Sequence, residues 1–289
     1  MRVGILFALV GAFVMSACTS SPVSSAPQPP ETLTRVVVLD PGISEVFIDL
    51  NLVDSVVGRP QYTEHLTELA GLPVVGTGIT PNYEAIVRSQ PQFIFTHASR
   101  GKALADLSLI APTQNFTWLS IEDITRETKF VGSLMGVPKE AAALAERVEN
   151  AMRSKLTEKS PRVLMLLGAP SKTATELWYA KAASLHGAAL EAAGGRNAVA
   201  AKYDGPPSLS IEALLEIDPD VIVVLSADAT PEAVSNQRDF WDNLPMLSAV
   251  KNDKIGFLTG REHFSTGPRV VAFQALLEAE VKRLWAFDE

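Results

Sequence analysis

The strongest constraint on the fold is a unit that occurs twice. Asn82-Tyr-Glu-Ala-Ile-Val-Arg-Ser-Gln-Pro-Gln-Phe-Ile-Phe95 is matched by Ser210-Ile-Glu-Ala-Leu-Leu-Glu-Ile-Asp-Pro-Asp-Val-Ile-Val223. Both share a helix-capping residue, Glu-Ala, an apolar pair, a proline and a short apolar run. Glu precedes Pro by seven positions in each, Glu84 to Pro91 and Glu212 to Pro219. Asn82 and Ser210 are good N-caps, and each proline stops its helix about two turns on. Phe93 to Phe95 and Val221 to Val224 then read as buried parallel strands, apolar on both faces. The chain is therefore expected to be α/β, built from two related doubly wound lobes with parallel-sheet cores.

A carboxylate in a first helical turn is favoured by the helix dipole, by roughly 0.3–1 kcal/mol. That alone would explain either glutamate. It does not require the same residue at the same place in both lobes. The repetition points to a partner that meets both lobes at once.

The rest of the chain fits this division. Arg35 to Leu39 reads as the opening strand, and residues 35–137 as the first lobe. Pro138 to Leu156 is Ala-rich, with Pro near N1 and Leu144, Val148 and Met152 at helical spacing, so residues 138–159 read as a connecting helix. Val163 to Leu167 opens the second lobe, residues 160–289. A chain of 289 residues with 47% hydrophobic content can fill two such cores.

The N-terminus decides the expected compartment. Met1-Arg2 is a short positive region, and Val3 to Met15 is an apolar run too short to span a bilayer. Small residues then precede Cys18, as at a bacterial lipoprotein cleavage site. Residues 1–17 are read as a signal peptide, Cys18 as the lipidated residue, and residues 18–34, rich in Ser, Pro and Thr, as a disordered tether. The alternative is an ordinary signal peptide. Cys18 is the single cysteine, so no disulfide forms within the chain. The net charge of −8 and the lack of a basic run disfavour nucleic acid as a partner.

No nucleophile elbow, metalloprotease motif or nucleotide loop is present, so the sequence is not read as an enzyme. Gly76-Thr-Gly78 falls short of a dinucleotide fingerprint, since position 81 is proline, and reads as a tight turn. Loops that follow strands in open α/β sheets line the ligand crevice. On that ground Tyr62, His97 and Arg100 are cleft candidates in the first lobe. Tyr179, Tyr203, Arg261, His263 and Phe264 are the candidates in the second. Trp118, Trp241 and His186 read as structural.

Taken in order, these segments resemble the periplasmic binding proteins of ABC importers for iron–siderophore complexes, cobalamin and haem. The carriers are the repeated unit, Arg35-Val-Val-Val-Leu-Asp-Pro-Gly-Ile-Ser-Glu45, Leu72-Pro-Val-Val-Gly76, Ala193-Gly-Gly-Arg-Asn197, Trp241-Asp-Asn-Leu-Pro245 and Phe264-Ser-Thr-Gly-Pro-Arg269. The resemblance runs from about Arg35 to the C-terminus. It implies one long helix between the lobes, a cleft between them and little closure on binding. It further implies an ABC permease dimer in the inner membrane as partner, with Glu84 and Glu212 docking onto permease arginines. The ligand would be a metal chelate whose own iron or cobalt is the metal, with no resident cofactor, and Tyr62 or His97 could touch it. The chain would act as a monomer, held by its lipid on the periplasmic or outer face of a bacterial membrane. An extracytoplasmic sensor of the same fold and a bare-metal-binding protein are the alternatives.

Overall fold

The computed structural model describes residues 33–199, 205–228, 230 and 239–285. Residues Thr32–Glu289 form one compact unit. The signal peptide, Cys18 and Tyr203 lie outside the described residues.

Two four-stranded parallel sheets organise the fold. The first contains β1 (Val36–Val38), β2 (Val56–Gly58), β3 (Phe93–His97) and β4 (Thr113–Phe116), in the order β2-β1-β3-β4. The second contains β5 (Arg162–Leu167), β7 (Arg196–Asn197), β9 (Val221–Ser226) and β10 (Ile255–Thr259), in the order β7-β5-β9-β10. The two orders are the same arrangement, with the first strand of each sheet beside that sheet's second and third. Between them in sequence, β6 (Glu176–Trp178) and β8 (Ser208–Ser210) form an antiparallel ribbon. The central strands are mostly apolar, as strands buried on both faces are: all of Val36–Val38 and Val221–Ser226 is buried.

The repeat continues into side-chain detail. Helices α2 (Tyr83–Ser89) and α7 (Ile211–Ile217) have seven residues each. Asn82 Oδ1 accepts the Ala85 N–H at 3.1 Å, and Ser210 Oγ accepts the Ala213 N–H at 3.2 Å. Both helices close on a left-handed residue, Gln90 at φ 47° and Asp218 at φ 40°, directly before the proline. The strand that pairs beside each helix supplies the final cap. Arg35 donates to the carbonyls of Ser89 and Gln90, and Arg162 to those of Ile217 and Asp218. Gln92 and Asp220 complete the match, each accepting the backbone N–H of its own arginine, at 3.1 and 2.7 Å. Both guanidiniums thus satisfy helix C-terminal carbonyls that would otherwise have only water.

One apolar core runs through both lobes. Phe95 and Phe116 from the first sheet and Met165 and Val223 from the second belong to it. So do Leu144 and Val148 of α5 (Pro138–Ala151) and Phe273 and Leu277 of the final helix (Val270–Leu284). The connecting helix is shorter than its composition suggests. It ends at Ala151 rather than Leu156, and the Lys155 N–H instead reaches the Glu191 carbonyl at 2.9 Å. Along its length α5 lies against α4 (Ile121–Leu134), which opens on a capping box of Ser120 and Asp123.

Candidate functional site: the cleft at the carboxyl ends of the sheets

Two adjoining hollows lie where the strands of the first sheet end. One, of about 310 Å³, is lined by Pro41, Glu45, Tyr62 and His65 from the first lobe and by Ala227, Arg261, Phe264, Ser265 and Thr266 from the second. The other, of about 360 Å³, is lined by first-lobe residues including Asp40, Tyr62, Gly78, His97 and Ala98. They share Pro41 and Tyr62, so the two form one groove past that tyrosine. The position follows from topology. β1 and β3 are neighbours whose connections leave in opposite directions, and such a switch point opens a crevice outside the strand ends.

Tyr62 sits on the ridge between the hollows, 56% exposed, at φ 67°. A non-glycine residue held in the left-handed region is uncommon, and here it presents an aromatic ring to open space. Ala98, at φ 60°, turns the chain out of β3 on the same wall. Next to it, His97 Nδ1 lies 3.2 Å from the Phe116 carbonyl and donates to it, which leaves Nε2 as the ring nitrogen not engaged in that bond. Asp40 caps α1 (Pro41–Asp49) through the Ile43 N–H, and burial raises its carboxyl despite that bond and the nearby His97. The Gly76–Gly78 turn is tight, as expected. A β-carbon on Gly78 would lie 2.0 Å from the His97 carbonyl oxygen.

The deeper hollow is closed behind by a junction between lobes. Glu45 is 1% exposed. Its Oε2 accepts Ser265 Oγ at 2.8 Å and the Arg269 N–H at 3.0 Å. Burial pushes the Glu45 carboxyl up to about 8, and those two hydrogen bonds offset only part of the rise. The Arg269 guanidinium runs across to Glu68 at 2.7 Å and Asp49 at 3.5 Å. Trp118 Nε1 donates to the Thr266 carbonyl at 2.6 Å. His65 lines the hollow with its Nδ1 buried and, among the described residues, without a hydrogen-bond partner, and burial lowers the pKa of its ring.

Of the residues expected in the cleft, Tyr62, His97, Arg261 and Phe264 line the groove. Three others do not. Tyr179 is a correction: it is 1% exposed and packs in the second lobe's own core with Leu164, Leu177 and Leu209. Strand alternation explains it, since β6 turns Trp178 outward, at 56% exposed, and its neighbour inward. His263 is a second correction. It is buried, its ring packs beside Phe273, and its carbonyl accepts from His186 Nε2 at 3.0 Å. The 3-10 turn Arg261–Phe264 presents its flanking residues to the hollow and tucks His263 behind. Arg100 is exposed at the start of α3 (Gly101–Ile110) and lines neither hollow. Sequence reasoning passed over Glu45 and His65. Glu45 carried a visible signal: it is a carboxylate in a helix whose neighbours Ile43, Val46, Phe47 and Ile48 are apolar all round. Among the described residues no group of three or more His, Cys, Asp or Glu is placed to hold a metal ion.

Glu84 and Glu212 lie elsewhere, each in the first turn of its repeated helix and each exposed. Arg88 lies 3.4 Å from Glu84 in a solvated pair, worth only a few tenths of a kcal/mol. One turn on, Val87 and Leu215 occupy matching places, 56% and 37% exposed.

Comparison with known proteins places this geometry. Residues 36–261 match the profile of a family described as periplasmic binding protein. The chain is 26% identical over 253 residues to the putative ABC transporter substrate-binding lipoprotein YhfQ of Bacillus subtilis, spanning 78% of this chain and 76% of that one. It is 30% identical over 209 residues to a cobalamin-binding protein of Halobacterium salinarum, spanning 67% of this chain and 54% of that one. Among solved structures, the periplasmic haem-binding protein BhuT in complex with two haems shares the fold. The TM-score is 0.69 at 20% identity, over 86% of this chain and 98% of that one.

Proposed function

The chain belongs to the periplasmic binding protein family, and from that premise we propose that it captures a metal chelate in the cleft and delivers it to an ABC permease. The chelate is a ferric siderophore, cobalamin or haem, and brings its own iron or cobalt. The protein holds no cofactor of its own. It works by binding and release rather than by catalysis.

The observation that carries delivery is the matched pair of exposed carboxylates. Glu84 and Glu212 stand in helices of the same length, with the same N-cap bond and the same arginine-capped end. A permease dimer offers two equivalent surfaces, and a pair of equivalent anionic knobs suits arginines on each. Capture is supported by the groove. Tyr62 and Phe264 offer aromatic faces to a flat conjugated ligand, Arg261 offers a cation, and His97 Nε2, not engaged by Phe116, is left for a metal. The combined space falls in the range of small-molecule sites. The shared core between lobes favours a groove that changes little on filling. We take the protein to be exported, tethered by lipid at Cys18, and monomeric.

Uptake separates delivery from sensing. Cells lacking the chromosomal gene are complemented with wild type or with Glu84→Ala plus Glu212→Ala, and accumulation of the radiolabelled chelate is followed. The double variant is expected to bind normally and to fail in uptake. Normal uptake by it would remove the docking role. A phenotype in signalling without transport would move the chain to the sensor class.

A further inference from the structure

The wall of the deeper hollow carries a donor without an acceptor. Glu45 lines the hollow although its residue is almost wholly buried. Both donors that reach it, Ser265 Oγ and the Arg269 N–H, go to Oε2. Oε1 receives no hydrogen bond from the described residues. No cation pairs with the carboxyl either, because the Arg269 guanidinium is turned toward Glu68 and Asp49. A carboxylate in such a place would be a buried charge compensated by two hydrogen bonds and the attraction of an Arg269 guanidinium that is itself paired elsewhere, and burial outweighs these, so the neutral acid is favoured. The rise to about 8 agrees with this. Since Oε2 accepts two donors, the proton belongs on Oε1. That O–H faces no acceptor among the described residues, and an unmet donor in a cavity wall is a costly feature unless something bound there meets it.

The surroundings narrow what that something is. Arg261 lines the same hollow from the opposite lobe and is exposed. His65 lines it too, and burial favours its neutral form. Of the other titratable groups nearby, Asp49 pairs with Arg269 and Arg147 and Glu68 with Arg269, while the carboxylates of Glu262 and Glu64 act on His65. A carboxylate accepts from an acid O–H and from a guanidinium together. A carboxamide accepts through one oxygen and brings N–H groups that neither partner can receive.

We propose that Glu45, as a neutral hydrogen-bond donor acting with Arg261, makes the cleft selective for chelates that carry a carboxylate. The inference rests on the capture reading above and narrows its ligand class.

The test uses haemin, haemin dimethyl ester and cyanocobalamin as probes of the purified mature domain. The first two differ only in having free or esterified carboxylates. Wild type is expected to prefer haemin over its ester by about tenfold or more, and over cyanocobalamin. That preference should fall as pH rises through about 8, where Glu45 ionises and repels an anion. Glu45→Gln, whose amide keeps an acceptor for Ser265 and a donor for the ligand, is expected to stay within about threefold of wild type and to lose the pH dependence. Glu45→Leu should erase the preference. Equal affinity for acid and ester, or Glu45→Gln as damaging as Glu45→Leu, overturns the proposal. Infrared difference spectra of wild type against Glu45→Gln test the protonation with no ligand present. A protonated-carboxyl band is expected at neutral pH, and an ionised Glu45 at about pH 6 overturns the proposal whatever binds. Folded wild type that binds cyanocobalamin or a carboxylate-free ferric siderophore but not haemin overturns the selectivity and leaves capture standing; if it binds none of these nor any ferric siderophore, the capture reading fails as well, whatever the infrared result.

Discussion

Substituting Gly267 by alanine tests the junction behind the cleft. Gly267 lies where the loop before the final helix meets α1 of the other lobe. An added β-carbon would stand 2.4 Å from Glu45 Oε2, 2.5 Å from the Gly42 carbonyl oxygen and 2.9 Å from the Gly42 Cα. Two of those three atoms are backbone, and the third is a fully buried carboxyl, so little can yield. Moving the loop by the missing ångström would lengthen the Ser265 and Arg269 bonds to Glu45, now 2.8 and 3.0 Å. It would also pull Thr266 from Trp118. Overpacking costs about 1–3 kcal/mol. A weakened bond to a buried polar group adds about 1 kcal/mol or more. A total of roughly 2–4 kcal/mol is a large share of a domain's stability but still permits folding. At about 2–4 °C per kcal/mol for a chain of this size, Tm should fall by roughly 4–16 °C. Gly71→Ala is the control, because nothing lies within 4 Å of its added carbon. Its effect should stay within about 0.5 kcal/mol. Urea unfolding followed by circular dichroism, alongside calorimetry, reads both. If Gly267→Ala unfolds at the same denaturant concentration as wild type, the lobes do not approach as closely as argued.

Three further outcomes follow from particular contacts. Arg35→Ala and Arg162→Ala should each lower stability by a similar amount, about 1–2 kcal/mol in urea, because each removes the same helix-end cap from one lobe; a large difference between them would break the equivalence of the lobes. Lys155 and Lys282 depress the Glu278 carboxyl to about 2, so its stabilising effect is present above the unfolded value of about 4.5 and is lost as pH falls toward 2. Glu278→Gln should therefore cost on the order of 1 kcal/mol at pH 7, after allowance for solvent screening, and almost nothing near pH 2, as read by urea titration at each pH. Tyr62→Gly should leave Tm unchanged or raised, since glycine carries no penalty at φ 67°, while weakening chelate binding; a large loss of Tm would make Tyr62 a structural residue.

Much of the architecture was legible because it is written in short-range chemistry. N-cap, helix, proline and apolar strand lie within fourteen residues, and Asn82 and Ser210 make the capping bonds their types suggest. The crevice side of the first sheet was legible for the same reason: His97 ends β3, and Tyr62 lies in the loop that follows β2. The rest depends on contacts remote in sequence. Glu45 meets Ser265 and Arg269 more than two hundred residues on, and no local pattern announces that pairing. Tyr179 and His263 were misread because a loop's position says where the backbone goes and not which side chains turn inward. In both segments one neighbour faces out and the next is buried. The connecting helix was drawn too long because its composition stays helical past Ala151, while a tertiary bond from Lys155 to Glu191 takes over.

The central claim is that this groove binds a metal chelate. Calorimetric and absorbance titration of the purified mature domain with haemin, cyanocobalamin and a panel of ferric siderophores tests it most directly. One of them is expected to bind saturably at one groove, with affinity lost in Tyr62→Ala and unchanged in Arg100→Ala, since Tyr62 lines the groove and Arg100 does not. Folded protein that binds none of them, or binding indifferent to Tyr62, would contradict the account.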